Sequence, residues 1–108
     1  MGKVSISQDL LDSIIQIIVT CKKPSKIVIF GSRAGSNFNP ASDIDIAVFG
    51  KNWTDKEINL VRHDLNEFIK TPLKFDVLSF CQISKEGLRQ EILKKGIVIY
   101  EFKMKTRH

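Results

Sequence analysis

The chain has 108 residues, a length that fits one domain built around a single modest core. With 43% hydrophobic and 27% charged residues, no apolar run of membrane-spanning length and no secretory signal pattern, it predicts a cytoplasmic globular protein without a membrane contact. The net charge of +5 favours anionic ligands such as nucleotides, or an acidic partner, without identifying one.

The first elements predicted along the chain are a helix and a buried strand. Residues 7–21 have apolar side chains at helical spacing, and Ser7 is placed to cap the first turn. Cys21 at its end and Cys81 have no paired spacing, so both are predicted to be reduced, half-buried thiols. Residues 26–30 are almost all apolar, which predicts a strand that is covered on both faces.

A polar loop and a second strand follow. The loop, residues 31–42, is predicted to contain a short helical turn after Ser32. Residues 43–49 predict a strand, and the shortness of the loop predicts that it runs antiparallel beside the first strand. This arrangement brings the glycine end of the first strand close to the acidic start of the second.

Two aspartates at the start of the second strand predict a cation site. Asp43 and Asp45 are two positions apart, so their side chains point to the same face of a strand and repel each other. Neither has a Lys or Arg beside it in sequence, and Mg²⁺ is the cation that takes carboxylate and phosphate oxygens together. Gly31, Ser32 and Arg33 add backbone N–H groups, a hydroxyl and a cation that suit phosphate. The stretch therefore predicts a site for a metal-bound nucleoside triphosphate.

The rest of the chain predicts a helical crossover, a third strand and a final helix. Thr54 to Glu57 forms a capping-box pattern for a helix that runs to about Thr71. Residues 73–80 predict a strand parallel to the second one, because a long helix connects them. A last helix is predicted from Ser84 to Gly96. Residues 97–100 predict either a fourth short strand or a buried extension.

The spacing of the Gly-Ser and Asp-x-Asp pairs resembles a family signature. Gly31-Ser32, then ten residues, then Asp43-x-Asp45 is similar to the signature of polymerase-beta-type nucleotidyltransferases. The small size and the Gly-Ser-Arg-Ala form resemble the minimal nucleotidyltransferases (MNT), which are commonly encoded beside a helical HEPN protein. One departure is that Gly35 comes one place early and the second basic residue of the loop is missing. This departure predicts that the loop holds phosphate less firmly.

The resemblance implies an α/β (α+β) nucleotidyltransferase fold with the order α-β-α-β-α-β-α and a small mixed sheet of three to four strands flanked by helices. It also implies one domain over residues 1–101, followed by a flexible basic tail, 102–108. Asp76 interrupts the third strand. The residues alone leave it as either an edge-strand aspartate that faces water or a third acid of the site, and the resemblance favours the third acid.

The resemblance further implies a reaction with two Mg²⁺ ions and ATP, or another nucleoside triphosphate, as the substrate. Asp43, Asp45 and Asp76 would be the catalytic and metal-binding residues, while Gly31, Ser32 and Arg33 would hold phosphates. A nucleoside monophosphate, AMP from ATP, would pass to a hydroxyl of a HEPN-type partner, and the chain would act as an antitoxin.

Two other functional hypotheses stay open. One is a binding subunit without catalysis that neutralises or scaffolds a helical partner. The other is a nucleic-acid-binding module, which the sequence disfavours because its aromatic residues are few and not interleaved with the basic ones. The sequence also leaves open whether the chain forms a homo-oligomer.

Overall fold

Helices and strands alternate along most of the chain. The computed structural model describes residues 7–31, 43–71 and 73–102. Its elements in chain order are α1 (Gln8–Cys21), β1 (Lys26–Phe30), β2 (Ile44–Phe49), α2 (Asp55–Phe68), β3 (Phe75–Ser79), a 3₁₀ turn (Phe80–Gln82), α3 (Glu86–Lys95) and β4 (Ile97–Glu101). The α/β fold class predicted from the sequence is confirmed, and residues 97–101 form a fourth strand rather than an irregular extension. The helical turn predicted after Ser32 lies outside the described residues.

The four strands form one mixed sheet with the order β3-β2-β1-β4. β1 pairs antiparallel with both β2 and β4, as expected for β1 and β2 from the short loop between them. β2 and β3 run parallel, joined by the crossover through α2. β2 is therefore an interior strand, and β3 and β4 form the two edges. The acidic start of β2 and the end of β1 lie at the same end of the sheet.

Both faces of the sheet are covered by apolar side chains, as the apolar run of β1 predicts. Side chains of β1 at positions 27–30 are all buried. One face packs against α1 and α2 through a larger cluster that includes Ile14, Ile46 and Leu65. The other face packs against α3 and the 3₁₀ turn through a smaller cluster of Val28, Phe30, Ala47, Phe80 and Ile92. By strand alternation, the carboxylates described below belong to this second face.

The starts of α1 and α2 follow the capping signals in the sequence. The Ser7 side chain accepts a hydrogen bond from the Leu10 N–H at 3.3 Å. Thr54 and Glu57 form both bonds of a capping box, at 2.9 and 3.1 Å. α3 differs from the prediction, since its cap position is Lys85 rather than Ser84, without a side-chain bond.

α2 ends earlier than its sequence pattern predicts. The helix was expected to reach about Thr71, but it ends at Phe68. A proline in a helix collides with the carbonyl four residues before it, and for position 72 that carbonyl belongs to Phe68. Phe68 falls on the apolar stripe of this helix, a spacing that predicts burial, but its side chain is 67% exposed. The apolar spacing of α3 likewise predicts that Leu93 faces the core, but its side chain is 54% exposed.

The outer edge of β3 is bonded to side chains of α2. The Asn66 side chain accepts from the Phe75 N–H at 2.9 Å and donates to the Phe75 carbonyl at 3.1 Å. Arg62 donates to the Val77 carbonyl at 2.8 Å. The helix therefore supplies hydrogen bonds that a further strand would otherwise make.

Two other expectations concern the thiols and the membrane. Both cysteines are free; Cys21 is half-buried as predicted, but Cys81 is exposed. The helices within the described ranges are too short or too polar for any of them to cross a membrane.

Candidate active site

Gly31 and Asp45 lie directly against each other. Phe30 of β1 is the register partner of Asp45 on β2, so Gly31 follows at the end of the sheet where Asp45 stands. Gly31 has a φ of +83°, a conformation that favours glycine, and a Cβ at this position would lie 2.6 Å from Asp45 Oδ2. The glycine thus leaves room for the carboxylate, and the two parts of the sequence signature meet.

Asp76 lies beside Asp45 on the neighbouring strand. The two residues are register partners in the parallel β2–β3 pair. Adjacent strands are about 4.8 Å apart, and partners in register point their side chains to the same face of the sheet. Asp43 immediately precedes β2 and is exposed, two positions from Asp45. The sheet therefore brings all three predicted acids to one corner.

Asp45 is the most perturbed of these carboxyls. Its pKa is raised, first because partial burial disfavours its charge and then because Asp76 and Asp43 repel it. Glu91 of α3 adds a smaller repulsion of the same sign. Glu91 carries no signal in the sequence, since only the packing of α3 against β1 brings it near β2. A divalent cation relieves mutual repulsion of this kind.

Asp76 has a cationic partner that the sequence analysis also missed. Arg62 of α2 donates from Nε to Asp76 Oδ1 at 3.1 Å, and the Asp76 side chain is 54% exposed. The two interpretations of Asp76 thus both describe part of its surroundings, because it stands on an edge strand and also beside Asp45. The available signal was the polar stripe of Asn59, Arg62 and Asn66 at helical spacing.

The carboxylates suit a hard cation by their chemistry, although they are not gathered around one point. Within residues 7–31, 43–71 and 73–102, no three acidic, histidine or cysteine side chains are grouped closely enough to hold a metal ion. The donor set of Asp43, Asp45 and Asp76 offers only carboxylate oxygens, which are the ligands that Mg²⁺ takes. The predicted phosphate contacts of Ser32 and Arg33 lie outside the described residues.

A groove of about 860 Å³ runs along the edge of β3 close to this corner. Arg62 and Asn59 of α2 form part of one wall, and Val77 and Ser79 of β3 form part of the floor. The Ser79 hydroxyl is buried there and has no hydrogen-bond partner among the described residues. The groove adjoins the site through Arg62, which lines it and also bonds Asp76.

Comparisons with protein families and solved structures give matches over most of the chain. Residues 12–105 match the family model described as polymerase beta, nucleotidyltransferase. Comparison with curated proteins finds no match.

Three solved structures share the fold. The toxin–antitoxin pair MntA–HepT matches with a TM-score of 0.70 and 19% identity, covering 89% of this chain and 74% of that one. A tri-AMPylated Shewanella oneidensis HEPN toxin in complex with an MNT antitoxin matches with a TM-score of 0.72 and 20% identity, covering 90% of this chain and 74% of that one. An MntA–HpeT pair with two Asp-to-Glu substitutions matches with a TM-score of 0.66 and 22% identity, covering 86% of this chain and 74% of that one. At these identities the likeness concerns the fold alone.

Proposed function

The chain belongs to the polymerase beta nucleotidyltransferase family, and on that premise we propose that it transfers AMP from ATP to a hydroxyl group of a helical, HEPN-type protein. The observation that carries this proposal is the corner of the sheet where Asp45 stands in register with Asp76 and against Gly31. The two contacts place two acids beside a glycine, the residue type that lets a phosphate approach the backbone closely.

The proposed roles follow from the position of each residue. Asp43 and Asp45, with Asp76, would hold two Mg²⁺ ions, which when bound neutralise charge on the triphosphate and the departing pyrophosphate. Asp45 has the most firmly held backbone of the three aspartates, since β2 pairs with a strand on each side. The carboxylates would reach the triphosphate from the second face of the sheet, and Gly31 borders the same corner. Ser32 and Arg33 are proposed to hold the β- and γ-phosphates.

Asp76 is the residue proposed to accept the proton of the acceptor hydroxyl. The hydroxyl oxygen forms a bond to the α-phosphorus while the bond to the β-phosphate oxygen breaks, and pyrophosphate leaves. The released proton goes to the Asp76 carboxylate, which acts as a general base. Asp76 suits this role because it is half exposed on an edge strand, where an acceptor from another protein can approach.

The partner is proposed from the assemblies in which the structural neighbours occur. One of them contains a tri-AMPylated HEPN toxin together with an MNT antitoxin. Transfer of AMP to a HEPN protein by this chain would correspond to the same arrangement, with the chain as the antitoxin.

The test of the nucleotide site is calorimetric titration of ATP with and without Mg²⁺. We expect Mg²⁺-dependent binding by the wild type and loss of that binding in Asp45→Asn. Asp12→Asn is the matched control, because Asp12 is an exposed aspartate of α1 bonded to Gln8, away from the corner. Equal ATP binding by all three proteins would contradict the proposed site.

The test of transfer uses the Shewanella oneidensis HEPN toxin as an acceptor. The protein, Mg²⁺ and ATP labelled at the α-phosphate are incubated with that toxin, and the mass of the toxin is measured. We expect a gain of whole AMP units with wild type and Asp12→Asn, and none with Asp45→Asn. Labelled toxin in the Asp45→Asn sample would contradict the role of Asp45.

A second candidate function is a binding subunit without catalysis. The observation that favours it is a set of large apolar side chains that are more than two-fifths exposed, namely Leu60, Phe68, Leu93, Val98 and Phe102. Such side chains suit contact with another protein. A stable complex with the toxin that forms equally well with Asp45→Asn, with no AMP on the toxin from the wild type, would support this function over transfer.

A further inference from the structure

Arg62 donates hydrogen bonds to three acceptors, two on β3 and one on α2. Its Nε donates to Asp76 Oδ1 at 3.1 Å, its Nη1 to Asn59 Oδ1 at 2.6 Å and its Nη2 to the Val77 carbonyl at 2.8 Å. Each guanidinium nitrogen therefore has a partner, and the planar group is fixed by two anchors besides Asp76. A guanidinium fixed in this way defines both the position and the direction of its third bond.

The Asp76 carboxylate is oriented by two donors that act on the same oxygen. Besides Arg62, the N–H of Val77 donates to Asp76 Oδ1 at 2.9 Å. Oδ1 thus accepts two bonds, and Oδ2 is the oxygen left to bind a ligand. An aspartate that is 54% exposed on an edge strand would otherwise rotate between several rotamers.

We propose that Arg62 is a positioning residue that fixes the rotamer of Asp76, so that Oδ2 faces Asp45 and the cation held there. This inference rests on the proposed function, since it assigns a helper to one of its acids. Side chains that hydrogen-bond a metal-ligating carboxylate commonly change metal affinity when they are replaced, because the ligand loses its orientation.

Two other effects of Arg62 make different predictions. If only its charge mattered, removing it would strengthen cation binding, because a nearby positive charge opposes a divalent ion. If Arg62 only secured the edge of β3, its loss would lower stability and leave the cation affinity of the folded protein unchanged. The proposal differs from both, since it requires the geometry of the guanidinium and not only its charge.

The experiment measures binding of Mn²⁺ to the protein with ATP present, by the relaxation of water protons. Arg62→Lys keeps the charge without the fork, and Arg62→Met removes both. We expect each to weaken Mn²⁺ binding about tenfold. Asn59→Ala, which removes one anchor of the guanidinium from an exposed position, should cause a smaller loss in the same direction and tests the proposal if the arginine variants fold poorly.

Arg89→Met is the matched control. Arg89 is 35% exposed like Arg62, bonds the carbonyls of Phe80 and Ile83, and pairs with Glu86 at 3.7 Å, away from the three aspartates. It should leave Mn²⁺ binding unchanged. Stronger binding by Arg62→Met, or unchanged binding by both Arg62 variants, would overturn the proposal.

The Asp45→Asn variant distinguishes a failure of the proposed function from a failure of this inference. If Asp45→Asn bound Mn²⁺ and ATP as the wild type does, the metal site itself would be wrong and the Arg62 results would have no site to report on. If Asp45→Asn lost binding while the Arg62 variants kept it, the site would stand and only the positioning role would be refuted.

Discussion

Replacing Gly31 by alanine tests the closest contact of the site. The added Cβ would lie 2.6 Å from Asp45 Oδ2, nearer than real Cβ atoms come to another atom, at a backbone φ of +83°. An L-residue in the left-handed region costs about 1–2 kcal/mol. Moving the Asp45 carboxylate off its rotamer costs roughly another 0.5–1.5 kcal/mol. We therefore expect Gly31→Ala to lower the free energy of unfolding by about 2–3 kcal/mol.

A double-mutant cycle separates the two costs. In the Asp45→Ala background the carboxylate is gone, so Gly31→Ala should cost only the backbone strain of about 1–2 kcal/mol. The difference between the costs in the two backgrounds gives the interaction energy between the added methyl group and the carboxylate. Residues in contact usually show interaction energies of about 0.5–3 kcal/mol. Urea unfolding of the wild type, the two single variants and the double variant provides all four values.

The control is Gly87→Ala in α3, where a Cβ would meet nothing within 4 Å. Alanine there should be neutral or stabilise by up to about 1 kcal/mol. A Gly31→Ala cost as small as that of Gly87→Ala, or one that is the same with and without the Asp45 carboxylate, would refute the contact. We also expect Gly31→Ala to weaken Mg²⁺-dependent ATP binding, because the displaced carboxylate no longer stands at the corner.

Three further predictions concern pH, the β3 edge and a helix cap. Burial, and then the neighbouring carboxylates, raise the pKa of Asp45, so the folded protein holds that proton more tightly than the unfolded chain. The stability that this proton contributes is present in acid and is lost as pH rises from the ordinary aspartate range through the raised pKa. With rising pH, the urea midpoint should therefore fall less for Asp45→Asn than for the wild type. The same pH slope in both proteins would contradict this prediction. Asn66→Ala leaves the N–H and carbonyl of Phe75 without their partner and should cost about 1–3 kcal/mol in urea unfolding; a loss below ~0.5 kcal/mol would mean that water replaces the amide. Thr54→Ala should cost about 1 kcal/mol by removing the capping box, whereas Thr54→Ser should restore most of it; equal losses would exclude the hydroxyl as the cause.

The first three strands and their relative directions could be predicted because short-range patterns determine them, whereas the place of β4 beside β1 was not predicted. The apolar run of β1 and the alternation of β2 are local signals, and the connection lengths then require an antiparallel pair followed by a parallel one. The capping box of α2 is equally local. These elements agree with the structure because their local signals are strong and point to the same arrangement.

The partners of the site acids could not be predicted in the same way. Arg62 meets Asp76 only because α2 lies along the edge of β3, and Glu91 acts on Asp45 only because α3 packs against β1. Neither placement follows from a spacing in the sequence. The exposed Leu93 has the same origin, since periodicity identifies an apolar stripe but not how much of it the sheet covers.

The side-chain bonds along β3 also determine where this sheet can grow. Asn66 makes with Phe75 the pair of hydrogen bonds by which an added antiparallel strand would attach, and Arg62 takes the Val77 carbonyl two residues further on. An intruding strand would have to displace both side chains, so β3 is a poor template for aggregation. β4, at the opposite edge, is the strand through which copies of the chain would join into a continuous sheet. Self-association by that route would leave the acidic corner free.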